Sequence, residues 1–197
     1  MKRLQEKNSW EGEKIKGSRF IVNLGPVFSE EEAKQFLDMV AHKYPDARHH
    51  CYAYCLSNGI SRSSDSGEPR GSAGIPILQR LEGVELVDSI VVVTRYFGGT
   101  KLGVGGMIRA YGGAAGDALK EAEKVEIVLG DILELQFSYA QSSIVSSIVN
   151  KFSGEIKEEQ YSDIILMRVF IEQEKSKNFA AELIEKSSNK VLIQKSE

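Results

Sequence analysis

Apolar residues change their spacing along the chain, and each change marks an element. Ile15, then Phe20, Val22 and Leu24, alternate with other residues, which predicts a hairpin of strands about Gly17-Ser18. Ser29-Glu-Glu-Glu32 is a capping-box pattern, with Phe28 before it as a hydrophobic staple. Ala33, Phe36, Leu37 and Val40 follow at helical spacing, and Pro45 ends that helix. His49 to Ser57 reads as a strand, Asn58-Gly59 as a turn, and Ser61 to Gly74 as a polar loop. Ile75-Pro76 opens a helix with proline in its first turn. The unbroken run Ser89-Ile-Val-Val-Val-Thr94 predicts a buried strand, and a helix from Met107 to Glu123 closes this part. Along that helix Gly106, Ala110, Ala114 and Ala118 recur every four residues, a stripe that predicts close packing against a sheet. Gly112, Gly113 and Gly116 cost helix propensity on the order of 1 kcal/mol each, which packing must offset.

The periodicity changes again near Val125. Leu133, Leu135 and Phe137 alternate as a strand, and Ile144 to Phe152 carries helical spacing. Two strands follow, 156–161 and 164–171, turning at Ser162-Asp163. A second helix contains Phe179, Ala180, Leu183 and Ile184, and Val191-Leu-Ile193 is a last strand. The order β-α-β-β-α-β is the ferredoxin-like pattern. The chain is therefore expected to be α+β with two domains, 1–124 and 125–197.

The net charge of -3 gives no generic pull toward nucleic acid. Its distribution is uneven. Arg48, Arg62, Arg70, Arg80, Arg95, Lys101 and Arg109 outnumber the acids of the same segment, Asp65, Glu68, Glu82, Glu85 and Asp88, whereas acids dominate from Lys120 onward. The cysteines, Cys51 and Cys55, are too far apart on one strand to bridge each other. The N-terminus has no apolar run, and no segment approaches a membrane span. These features predict a cytoplasmic protein with no membrane partner.

Candidate chemistry concentrates between residues 48 and 111. Gly98-Gly99-Thr-Lys101-Leu-Gly103-Val-Gly105-Gly106 bares backbone N–H groups beside a helix start, where partial positive charge gathers. No Gly-Lys-Ser/Thr ends it, so it is not a P-loop, and Ile108 stands where a dinucleotide fingerprint needs its third glycine. An anion- or backbone-contact loop and a purely structural loop both remain open. His49, His50, Cys51 and Cys55 lack the paired turns of a zinc site; the cysteines read as small core residues. Asp65 and Glu68 fit acid–base work, or the capping of turns and pairing with Arg70 or Arg95. No nucleophile elbow is present. No cofactor or metal is expected.

The runs Asp46-Ala-Arg48-His49-His50-Cys51, Asp65-Ser-Gly67-Glu68-Pro69-Arg70-Gly71-Ser-Ala-Gly74 and Arg95-Tyr96-Phe97-Gly98-Gly99-Thr-Lys101-Leu-Gly103-Val-Gly105-Gly106, with Tyr111-Gly-Gly113, resemble the YigZ/IMPACT family in order and spacing. Ser66 departs from the family pattern where a second aspartate is usual, and Ser72 where threonine is. The resemblance implies a first domain like the second domain of a ribosomal protein, and a second like the last domain of elongation factor G. It also implies action by binding rather than catalysis, with RNA, the ribosome or a translation-associated protein as partner. The kinase-restraining role of eukaryotic members rests on a different N-terminal module that this chain does not show.

On this reading Arg95, Lys101 and Arg109 contact phosphates beside the glycines, and Arg48 and Arg70 extend the face. Tyr96, Phe97 and Tyr111 stack on bases if exposed. Core packing is the rival for Tyr96 and Phe97, with one of the two expected inside. His49, His50, Asp65, Gly67, Glu68 and Pro69 complete the candidate surface. A small hydrolase built on Asp65 and Glu68 is the third reading.

Overall fold

The computed structural model describes residues 1–195. It divides into two units, Met1–Ile127 and the chain from Val128 onward. The first unit contains β1 (Lys2–Leu4), β2 (Asn8–Glu11), β3 (Arg19–Pro26), α1 (Glu30–Lys43), β4 (His49–Cys55), β5 (Ser61–Ser64), α2 (Gly74–Gly83), β6 (Ser89–Tyr96), α3 (Val104–Glu121) and β7 (Lys124–Glu126). Five strands form an antiparallel sheet in the order β2-β3-β6-β4-β5, and β1 pairs with β7.

Central strand β6 is covered on both faces. Val91 and Val93 join Phe20, Val22, Leu24, Cys51 and Ala53 in one apolar cluster with α2 and α3. Ile90 and Val92 join Phe36, Val40 and Tyr54 in a second cluster under α1. A strand with no solvent face needs no polar alternation, which explains its unbroken apolar run. Ala110, Ala114 and Ala118 of α3 lie in the first cluster, so the alanine stripe packs as its spacing predicts. Gly112 and Gly116 have another task. They face α2, where Arg80 Nε donates to the Gly112 carbonyl at 3.0 Å and a Cβ on Gly112 would meet Pro76.

Several expectations need correction. Helix α3 begins at Val104, not Met107, so Gly105 and Gly106 are first-turn residues, and it ends at Glu121. Their poor helix propensity hides the true start. The segment 61–74 contains edge strand β5, which lies on no core face and so shows no apolar alternation. The strand paired with β3 is Asn8–Glu11; Ile15 makes only an isolated bridge to Ser18. At α1 the Ser29 hydroxyl accepts from the Glu32 N–H at 3.1 Å, while the Glu32 carboxylate accepts from the Phe28 N–H at 2.9 Å. Phe28 is no staple: it is 53% exposed, and Val27 is the buried neighbour.

The second unit runs β8 (Gly130–Phe137), α4 (Ser142–Lys151), β9 (Glu155–Tyr161), β10 (Ile165–Glu172), α5 (Gln173–Lys186) and β11 (Leu192–Lys195). Its antiparallel sheet has the order β11-β8-β10-β9. Ile165, Met167, Val169 and Ile171 point to one face and meet Leu135, Val149, Phe179 and Leu183. Strict alternation in β10 reports a sheet covered on one side. Among the described residues no helix is long and apolar enough to cross a membrane.

Candidate functional site

The segment 97–103 carries the chain from β6 to α3. In β6 the inward series Val91, Val93 is continued by Arg95, which is only 7% exposed. A charge at that depth needs a partner. Glu68 supplies it at 2.7 Å, with a side chain 6% exposed. The same Glu68 oxygen accepts from the Tyr111 hydroxyl at 2.8 Å. Tyr111 is fully buried, with its ring edge-on to Phe20 at 5.2 Å. Burial above all, with Cys51 and Glu68 adding, drives the Tyr111 hydroxyl far upward. The Cys51 thiol donates to the Asp65 carbonyl at 3.0 Å, and burial pushes it up to about 12. Arg95 and Tyr111 are therefore interior residues: Tyr111 offers no face to a base, and the Arg95 charge is already neutralised.

The 65–74 loop is held by its own carboxylate. Asp65 accepts from the N–H groups of Gly71 (2.7 Å), Ala73 (2.9 Å) and Gly74 (2.8 Å), fixing the entry to α2. Burial pulls this carboxyl upward, but the bonds from Gly71, Gly74 and Ala73 outweigh it and hold it below the usual range. The Ser72 hydroxyl donates to the Pro69 carbonyl at 2.6 Å. His49 Nδ1 meets the Ser66 carbonyl at 2.8 Å, which makes Nδ1 the donor. A Cβ on Gly67, whose φ is +85°, would stand 3.4 Å from that ring. His50 Nδ1 lies 3.0 Å from the Thr94 hydroxyl; burial, then the neighbouring His49, lowers its pKa. Asp65 and Pro69 thus fix the 65–74 loop, Gly67 borders His49, and Glu68 ties the loop to β6 and α3. Among the described residues no group of three or more His, Cys, Asp or Glu is arranged to hold a metal.

The glycine loop divides in two. Gly98 is closed: its N–H donates to the Ser18 hydroxyl at 3.2 Å, and a Cβ there would fall 1.9 Å from the Gly17 carbonyl carbon. Ser18, buried and shared between Gly98 and Arg95, has a structural role beyond the turn its sequence position predicts. Beyond it the loop is open. Gly99, Thr100, Lys101, Gly103 and Gly105 are exposed. Among the described residues the N–H groups from Gly99 to Gly106 have no backbone or side-chain acceptor. Gly103, at φ +71°, caps α3 without a side-chain bond, and no acid occupies the first turn. The positive end of an 18-residue helix therefore meets solvent directly. Lys101 and Arg109 are exposed beside it, with Arg109 Nη1 lying 3.8 Å from where a Gly105 Cβ would stand.

Next to this turn is a hollow of about 410 Å³ lined by Asp46, Ala47, Arg48, His49, Arg95, Tyr96 and Phe97. Antiparallel pairing of β4 with β6 sets His49 opposite Arg95 and forms it. Phe97 is 60% exposed, with the Arg95 guanidinium 5.7 Å from its ring centre. Tyr96 is half-buried, with Arg19 at 5.5 Å. Neither ring is core, contrary to the expectation for one of them. The hollow gathers Arg48, His49, Tyr96 and Phe97; Arg70 is exposed on the 65–74 loop and does not line it.

Residues 16–119 match the Impact N-terminal domain, and residues 135–190 match a domain of unknown function, DUF1949. IMPACT family member YvyE of Bacillus subtilis is 34% identical over 185 residues, covering 93% of this chain and 85% of that protein. An IMPACT family member of Haemophilus influenzae is 37% identical over 186 residues, with 92% and 90% covered. YigZ of Escherichia coli is 36% identical over 175 residues, with 87% and 86% covered. A crystal structure of an hypothetical protein superposes with a TM-score of 0.69 at 32% identity, covering 100% of this chain and 97% of that one.

Proposed function

The chain belongs to the IMPACT family, and on that premise we propose that its first unit is a non-catalytic module that binds unpaired segments of RNA, free or in the ribosome. Backbone N–H groups from Gly99 to Gly106, with Lys101 and Arg109, take the phosphates; Phe97 supplies a stacking face. A role in regulating translation, and a cytoplasmic setting, go with this reading.

Gly105 is the observation that carries it. It is helical, its φ is ordinary, and a Cβ there would meet nothing closer than the end of Arg109. Neither backbone conformation nor internal packing requires glycine, and glycine is costly in a helix. Close approach by something from outside accounts for it. Gly98, by contrast, is explained by the fold alone.

A salt titration of the full chain with a fluorescent single-stranded oligouridylate tests the reading. Affinity should fall as salt rises, and Lys101→Ala with Arg109→Ala should flatten the slope of log K against log salt by about 1.4, at roughly 0.7 per cation. No binding, or a slope untouched by the double variant, refutes it.

Val104 and Ile108, one turn apart on α3, are both exposed, as is Phe97, and this favours a second reading in which the same surface docks a protein of the translation apparatus. Partners that survive nuclease treatment in affinity purification select that reading. The hydrolase reading is weakened by the bonds that occupy Glu68 and Asp65.

A further inference from the structure

We infer that the hollow beside the loop is a subsite for one unstacked nucleotide, with guanosine preferred; this rests on the RNA reading above and specifies what that surface selects. At about 410 Å³ the hollow has the size of a small-ligand pocket. Its lining combines what a nucleotide needs. Phe97 offers an exposed ring, Arg48 a cation for the phosphate, and Asp46 and His49 polar groups for a base edge.

The buried ion pair gains a purpose in this arrangement. Pairs such as Arg95–Glu68 seldom add stability over an apolar substitute. Here the Arg95 guanidinium backs Phe97 at 5.7 Å and Phe20 at 5.8 Å, while Glu68 and Ser18 fix the guanidinium itself. The cation holds Phe97 from the protein side, so its exposed side serves as a platform of defined tilt. Arg95 is a positioning residue, acting through Phe97.

The preference for guanosine comes from Asp46. It is the acid of the lining, it is exposed, and no hydrogen bond or ion pair occupies it among the described residues. A carboxylate is an acceptor with two oxygens. Guanine alone presents two adjacent donors on its Watson–Crick edge, the ring N–H and the exocyclic amine. Adenine and cytosine present one amine there, and uracil one ring N–H.

The test compares oligouridylate with the same oligomer carrying one central guanosine, by fluorescence anisotropy at fixed salt, on the full chain. Guanosine should tighten binding about ten-fold, the scale of a matched two-bond base contact. Asp46→Asn should abolish that gain, bringing the two oligomers to the same affinity. Phe97→Ala should weaken both oligomers by roughly 5- to 150-fold, as loss of a stacking ring does. Both side chains are exposed, so an unchanged melting temperature certifies the fold. Binding without a guanosine preference, or a preference that survives Asp46→Asn, overturns the subsite while the RNA reading stands. If neither oligomer binds, the RNA reading fails with it.

Discussion

Gly105→Ala separates a ligand-binding glycine from a structural one, because the two roles predict opposite effects. In the fold, alanine at Gly105 meets only Arg109 Nη1 at 3.8 Å, an ordinary contact with a mobile side chain. The φ is not in the left-handed region, so no strain is added. Alanine then gains helix propensity and stabilises by up to about 1 kcal/mol. That raises the melting midpoint by about 2–4 °C. In the complex we propose, the same methyl group would stand between phosphate and the N–H groups of the first turn. Losing one charge-assisted hydrogen bond costs about 1.5–3 kcal/mol, or roughly 10- to 150-fold in affinity. Circular-dichroism melting and anisotropy on one protein stock read both quantities. A variant that is more stable yet binds oligouridylate as tightly as wild type refutes the reasoning. Gly98→Ala is the control: its Cβ would collide with Gly17 backbone, so it should unfold or distort the unit and lose stability and binding together.

Other perturbations test the scaffold. Glu68→Gln leaves the Arg95 charge buried without its anion and should cost about 3–5 kcal/mol in chemical denaturation; an active hydrolase losing only turnover would contradict a structural Glu68. Asp65→Asn should cost about 1–3 kcal/mol at neutral pH, read from urea midpoints. The Asp65 carboxyl titrates below its unfolded value, so its contribution is full above the unfolded pKa and disappears as pH falls through the folded one. Wild type and Asp65→Asn should therefore converge in acid, and a gap that persists there counts against the assignment. Cys51, with its thiol pushed up to about 12 by burial, and Cys55, also raised by burial, should resist a disulfide reagent at neutral pH until the chain is unfolded; rapid labelling of the native protein would contradict their burial.

Periodicity reports burial, and the elements it reveals are those with a regular buried face. Strand β6, helix α1 with its Ser29 cap, and the whole ferredoxin-like order of the second unit are legible for that reason. Strand β5 is not, because an edge strand outside the core carries no apolar alternation. The start of α3 is hidden because glycine argues against the helix it occupies. The candidate site is legible as a cluster of motifs but not as an arrangement. The pairing of Glu68 with Arg95 is one of the alternatives the sequence offers, and the fold bears it out; what the sequence does not show is that Glu68, 27 and 43 residues from Arg95 and Tyr111, meets both of them inside. Likewise five glycines look alike in a string. The fold distinguishes Gly98, which the backbone of Gly17 demands, from Gly105, which nothing in the protein demands.

Amide chemical-shift mapping by nuclear magnetic resonance puts the central claim to its most direct test. The ¹⁵N-labelled full chain is titrated with single-stranded oligoribonucleotide, and each backbone N–H reports its own bonding. The open loop predicts the largest shifts at Gly99, Lys101, Gly103, Gly105 and Gly106, with Phe97 beside them, and little change at Gly98. Shifts confined to other surfaces, with these amides silent at saturation, would contradict it.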